Sequence, residues 1–230
     1  MKTLGLIGGT SWLSTVDYYR LINLEINKRL GGLNSAKLVL YSLNYEEAKR
    51  FVDENNWKEI SALFCGAAER LEKAGIDGLI ICANTPHKIA DDVQKVIRVP
   101  LIHIAEVTAK EIRKKGINKA GLLGTRFTME DGFFQDKLRQ EGIEAVIPEK
   151  DEIGFVHNSI FDELGKEIFR PETKQRYVGI IGKLVEKGAE GVIFGCTEIP
   201  LLLKQEDCPV PVFDTTVIHA KAAVEFALKD

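Results

Sequence analysis

Cysteine is scarce in this chain. Four of 230 residues carry a thiol, Cys65, Cys82, Cys196 and Cys208, and no two of them stand as CxxC. That density excludes a disulfide-built scaffold and points to a reduced compartment. Histidine is equally rare, and His87, His103, His157 and His219 include no HxxxH pair, so no metal site is expected. An excess of one charge is also missing: 31 Lys and Arg stand against 34 Asp and Glu, a formal net charge of −3. This gives no electrostatic case for nucleic acid or an anionic membrane as partner. No apolar run approaches the roughly 18–20 residues needed to span a bilayer. The opening "MKTLGLIGGTSW" holds too short an apolar stretch for the core of a signal peptide. No GxxxxGK followed by Ser or Thr occurs, and Gly5-x-x-Gly8-Gly9 is not a GxGxxG fingerprint. A nucleotide cofactor is therefore weakly supported. The expectation is a reduced, cytoplasmic globular protein.

What is present is an alternation of short apolar runs with helical patterns. Strand-like runs lie at 3–9, 36–43, 78–83, 99–105, 119–125, 191–197 and 210–215. Between them, Tyr18, Ile22, Ile26 and Leu30 fall four apart, and Ile60, Leu63, Phe64, Ala67 and Leu71 follow helical spacing. A last helix carries Val217, Ala220, Val224 and Ala227 on one face. Trp12, Tyr18 and Tyr19 are read as core rather than as a cofactor stack. Apolar strands alternating with helices imply an α/β fold, a mostly parallel sheet covered on both faces.

The chain also repeats itself. "AGIDGLIICANT" at 74–85 matches "KGAEGVIFGCTE" at 187–198, with the glycines offset by 113 (188 − 75 and 191 − 78). The same offset sets Ala83 opposite Cys196 (196 − 83). "LGLIGGT" at 4–10 echoes "AGLLGTR" at 120–126, and "VPLIH" at 99–103 echoes "VPVFD" at 210–214. Three pairs in the same order read as two related half-chains. Ligands of parallel sheets sit outside the carboxyl ends of strands. Two facing halves would therefore set the turn at 83–85 across a cleft from the turn at 196–198.

Cys196 ends an apolar strand and precedes a helix start, where a helix N-terminus favours thiolate. The alternative is a buried cysteine packed as a small hydrophobe. Gly195 would let another chain or a ligand come close. Asn84, Thr85, Thr197 and Glu198 follow the two turn positions and suit the binding of a carboxylate, though such residues also cap helices. "GGTSWLST" at 8–15 and "GTRFTMED" at 124–131 look like anion cradles, offering Thr10, Ser11, Thr125 and Thr128. His87, two residues past Thr85, either orients groups at the site or is a satisfied structural histidine.

Taken together, "GLIGGTSWLSTVDYYRLIN", "CANTPHK", "GLLGTRFTM" and "GVIFGCTEIPLL" resemble the aspartate/glutamate racemase family, in order and over nearly the full chain. The resemblance implies two pseudo-symmetric parallel-sheet domains flanked by helices, with the active site in the cleft between them and a C-terminal helix returning to the first. That places residues 1–98 plus 209–230 in one domain and 99–208 in the other. It also implies a cofactor-independent amino-acid racemase, commonly a homodimer. Two groups flank the substrate Cα; one removes the α-proton and the other returns a proton to the opposite face. Cys196 matches the second family cysteine, whereas the position of the first is Ala83, and alanine departs from the family pattern. Ala83 is kept as a residue lining the site. Cys82 stands one residue away, but side chains alternate along a strand, so it should face the core. His87 is the other candidate to replace the missing group. A distal carboxylate would call for a cation, for which Arg126 is the candidate.

Two other readings stay open. An arylmalonate decarboxylase-like reaction needs only one thiol, and Cys196 alone would serve it. A small-molecule binding protein on a disarmed scaffold would keep the Asn84–Thr85 turn and dispense with a base.

Overall fold

The structure, a computed structural model, describes residues 1–229. The chain forms two compact units, residues 1–103 with the chain from His219 onward, and Ile104–Ile218. The first unit runs β1 (Leu4–Gly8), α1 (Trp12–Leu30), β2 (Leu38–Ser42), α2 (Tyr45–Asp53), α3 (Trp57–Lys73), β3 (Gly78–Ile81) and α4 (Ala90–Val96). The second runs α5 (Ile104–Lys114), β4 (Lys119–Gly124), α6 (Arg126–Glu130), α7 (Phe133–Gln140), β5 (Glu144–Val146), α8 (Lys150–Asp162), α9 (Pro171–Glu186), β6 (Gly191–Gly195), α10 (Ile199–Leu202) and β7 (Val212–Asp214). The last helix, α11 (Thr215–Leu228), contributes its residues from His219 on to the first unit, so the expected return of the C-terminal helix is present. Among the described residues, no helix is long and apolar enough to cross a membrane.

Each unit holds a parallel sheet, of order β2-β1-β3 in the first and β5-β4-β6-β7 in the second. Both faces of β1 and β3 are buried. Leu4 and Leu6 of β1, with Ile80 and Cys82, pack against Tyr18, Ile22 and Ile26 of α1 and Ala220 and Val224 of α11. Ile7, Leu79 and Ile81 point the other way, against Phe64, Ala67 and Leu71 of α3 and Val93 of α4. This period of two, apolar on both faces, is what a helix-covered parallel sheet requires. Each such side chain contributes roughly 1.5–3 kcal/mol of burial.

The internal repeat is present in the register of the central strands and in the hydrogen bonds that flank them. β1 pairs with β3 starting at Leu4 and Gly78, and β4 pairs with β6 starting at Ala120 and Gly191. Asp77 N–H donates to Thr3 O at 2.8 Å, as Glu190 N–H does to Lys119 O at 2.8 Å. Leu79 N–H donates to Pro100 O at 2.9 Å, as Val192 N–H does to Pro211 O at 2.9 Å.

Four expectations need correction. The run 99–105 is not a strand: only Leu101 bridges to Leu79, and α5 begins at Ile104. Pro100 has no N–H to donate. From Ile104 on, the buried positions Ile104, Ala105, Thr108, Ala109 and Ile112 have helical spacing. The boundaries also move, to 103/104 and 218/219 instead of 98/99 and 208/209. The Leu101 bridge holds the first segment to β3, and β7 pairs with β6 inside the second unit. α1 starts at Trp12 because Ser11 caps it, which turns Trp12 and Tyr19 outward while Tyr18 is fully buried. Leu30, expected on the buried face, lies exposed at the end of α1.

α11 also carries a pH-sensitive anchor. His219 Nδ1 accepts from Tyr18 Oη at 2.7 Å, and its Nε2–H donates to Ile102 O at 2.7 Å. Burial lowers the His219 pKa to about 4, against the backbone hydrogen bond that raises it. An unfolded histidine titrates near 6.5, so the unfolded chain binds the extra proton first. The stability that neutral His219 contributes is full above about pH 6.5 and is lost as pH falls toward 4, on the order of 3 kcal/mol in all. Urea midpoints at pH 7 and pH 4.5 should differ more for the wild type than for His219→Gln. Equal shifts would assign the acid sensitivity elsewhere.

Candidate active site

In each unit the chemistry-bearing residues gather at the carboxyl ends of two neighbouring strands. In the first unit, Thr10 and Ser11 follow β1, and Ala83, Asn84 and Thr85 follow its partner β3. Ser14 Oγ donates to Cys82 O at 2.6 Å and ties the two loops together. Gly9 makes the first loop possible: its φ is +85°, and a Cβ there would lie 2.1 Å from Leu43 O. Thr10 Oγ1 is buried without a hydrogen-bond partner. Ser11 Oγ accepts from Ser14 N–H at 3.4 Å as the cap of α1. Ala83 is partly exposed, Asn84 is buried, and Thr85 opens a 3₁₀ turn over Thr85–Ile89.

Cys82 is 0% exposed inside the apolar cluster beneath α1, and burial alone pushes its thiol far above the usual range. The alternation argument therefore holds at this strand end: Cys82 faces the core. His87 is also buried, with Nδ1 2.8 Å from Ala83 O.

In the second unit, Thr125 and Thr128 follow β4, and Cys196, Thr197 and Glu198 follow its partner β6. Thr125 Oγ1 accepts from Thr128 N–H at 3.3 Å, capping α6, and lies 3.2 Å from Thr128 Oγ1. Gly195 serves the sheet rather than an incoming ligand, since a Cβ there would stand 2.8 Å from Leu123 O. Arg126 is 53% exposed and faces Glu130 at 3.9 Å, so its position gives no support to a carboxylate-binding role.

Cys196 is 8% exposed, and its thiol donates to Glu198 Oε2 at 2.8 Å; Thr197 Oγ1 donates to the same oxygen at 2.8 Å. This overturns the expectation of a thiolate. Burial raises the Cys196 pKa well above its ordinary value, and the charge and hydrogen bond of Glu198 raise it further. The backbone N–H groups of Glu198 and Thr197 pull the other way and lose. α10 is only four residues long and brings little dipole to oppose burial. The resting group is a protonated thiol hydrogen-bonded to a carboxylate. The sequence offers Glu198 as a carboxylate-binding residue, and the structure instead pairs it with the thiol two positions before it. Nothing in the sequence pattern marks Tyr177, whose buried hydroxyl lies 2.9 Å from Ser159 Oγ and has its pKa raised by burial, against the lowering effect of the Ser159 hydrogen bond.

Glu198→Gln removes the charge that holds the thiol up and replaces one of the two accepting oxygens with a donor. The apparent pKa of Cys196 should fall while staying above that of a free cysteine, as read from thiolate absorbance near 240 nm against a Glu198→Gln/Cys196→Ala control. A rise would show that Glu198 does not set the protonation of the thiol.

The profile of the family described as Asp/Glu/hydantoin racemase matches residues 7–223. The broad specificity amino-acid racemase RacX of Bacillus subtilis is 28% identical over 225 residues, 96% of each chain. A crystal structure of a Yersinia pestis protein provisionally named an Asp/Glu racemase superposes with a TM-score of 0.94 at 46% identity, over 100% of both chains. PH1733, an aspartate racemase homologue from Pyrococcus horikoshii, superposes with a TM-score of 0.85 at 37% identity, again over 100% of both chains. The chain belongs to the Asp/Glu/hydantoin racemase family.

Proposed function

We propose that this protein is a cofactor-independent isomerase that moves the α-proton of an acidic or related amino acid, with Cys196 as the proton-transfer group. The observation that carries this reading is the buried Cys196 thiol on Glu198 Oε2 at 2.8 Å. A protonated thiol is an acid ready to deliver a proton to a carbanion. The same carboxylate, by accepting the thiol proton, produces the thiolate that removes one. Within the second unit Thr125, Thr128 and Thr197 offer hydroxyls and turn N–H groups suited to a carboxylate or amine, and within the first unit Thr10, Ser11, Asn84 and Thr85 offer hydroxyls, an amide and turn N–H groups of the same kind.

Ala83 bears on the outcome. A methyl group transfers no proton, and Cys82 faces the core. Wild-type activity is therefore weak or one-sided. The same observation favours a second reading, a one-thiol reaction in which a group leaves from one face and a proton arrives from the other.

The test is incubation in D2O with L- and D-aspartate, L- and D-glutamate and a panel of other amino acids. Deuterium at Cα with inversion supports the racemase. Deuterium with retention supports one working group. Binding without exchange for every amino acid rejects both and leaves a ligand-binding protein.

A further inference from the structure

Three successive carbonyls after β3 are each taken by a donor from the same unit. Cys82 O accepts Ser14 Oγ at 2.6 Å, Ala83 O accepts the His87 ring at 2.8 Å, and Asn84 O accepts His87 N–H at 2.9 Å. Two of the three bonds come from His87. Since a carbonyl only accepts, Nδ1 carries the ring proton and Nε2 is a bare lone pair, which is buried and has no hydrogen-bond partner. The ring is 2% exposed. It packs edge-on against His103, with centroids 4.8 Å apart, and against His219, at 5.5 Å. His219 is itself fixed by Tyr18 Oη and Ile102 O. The titratable groups facing His87 are thus His103, from the segment before α5, and His219, from α11, with Tyr18 of α1 facing His219.

We propose that His87 is a positioning residue for the turn at 83–85, holding it through the carbonyl of Ala83 in the shape that receives the substrate carboxylate, and that the histidine cluster makes this shape depend on a neutral ring. The proposal rests on the reading that Asn84 and Thr85 bind that carboxylate. A second proton would put a cation on the unpartnered Nε2 in a buried setting. Burial and the neighbouring rings of His103 and His219 hold the His87 pKa well below its usual value, outweighing the backbone bonds at Ala83 and Asn84. The ring is therefore neutral at pH 7, and the turn loosens only as acid forces the proton on.

Three variants separate the roles of the two nitrogens. Asparagine places its amide nitrogen near Nδ1 and keeps the bond to Ala83 O, glutamine places it near Nε2, and phenylalanine keeps only the ring volume. With L- and D-aspartate and glutamate as probes, His87→Phe should raise KM about tenfold with little change in kcat, the worth of one hydrogen bond. His87→Asn should restore KM to within about threefold. It should also lose the rise in KM expected of the wild type in acid well below pH 6.5, where His87 itself takes up a proton. His87→Gln should behave like His87→Phe. A folded His87→Phe with wild-type KM overturns the proposal, and so does His87→Gln outperforming His87→Asn, a comparison that still decides if His87→Phe does not fold. If the wild type exchanges no α-proton, the racemase reading fails. The anchor is then read from amide hydrogen exchange of Asn84 and Thr85, which should be faster in His87→Gln than in His87→Asn; equal rates overturn it.

Discussion

Alanine at position 196 should lower Cα hydrogen exchange about 10²–10⁴-fold, the range expected for loss of a positioned acid–base group. The size follows from the chemistry of the site. Cys196 carries the titratable thiol at the end of β6, and this thiol donates a hydrogen bond to Glu198 Oε2 at 2.8 Å. Without sulfur, the carboxylate has no thiol to charge or discharge. The substitution removes one atom from a small buried side chain, so the fold persists and the melting temperature moves little. Binding of the amino acid should survive, because the proposed carboxylate ligands Asn84 and Thr85 are untouched. Exchange into D2O by Cys196→Ala at the wild-type rate would remove Cys196 from the reaction, whereas loss of exchange together with loss of folding would call for Cys196→Ser as the cleaner substitution.

Giving position 83 a proton-transfer group should have the opposite effect. Ala83→Cys, or Ala83→Thr, is expected to raise the rate of inversion by about 10²-fold or more, the low end of the same range. Three features of the first unit make the position receptive. Ala83 is partly exposed, so an added sulfur or hydroxyl need not displace core atoms. Its carbonyl is held by His87 and the preceding one by Ser14, so the turn keeps its shape when the side chain changes. Cys82 cannot already be doing this work, because it points into the apolar cluster under α1. The measurement is the ratio of inverted to retained product in D2O, which should rise in both variants. If inversion does not rise in either while the melting temperature is unchanged, Ala83 is not simply a lost base, and the one-thiol reading gains.

Much of this was readable in one dimension. The parallel strands β1, β3, β4 and β6 are short apolar runs bounded by glycine and turn residues, and that signal is local. The repeat was visible because homologous turns carry similar residues, and the paired hydrogen bonds at Asp77 and Glu190 are its structural counterpart. The faces of Cys82 and Ala83 followed from a period of two. What failed depended on where pairing stops and where a helix is capped. "VPLIHIA" has the composition of a strand, but pairing stops at Leu101 and the helical face from Ile104 prevails. Trp12 and Tyr19 have core composition but lie outward once Ser11 sets the phase of α1.

The amino-acid sequence alone determined the α/β class, the doubled architecture, the family and Cys196 as the thiol at a strand end. These rest on residue type and spacing, which any conformation of the chain preserves. Only the tertiary structure decided the state of that thiol. Burial of Cys196 and the charge and hydrogen bond of Glu198 keep the proton on sulfur, and these effects outweigh the backbone N–H groups that favour thiolate. Only the tertiary structure, too, gathered His87, His103 and His219, spread over 132 positions (219 − 87), into one buried cluster behind the turn at 83–85. Desolvation and proximity are properties of the packed chain, and no pattern along the sequence carries them.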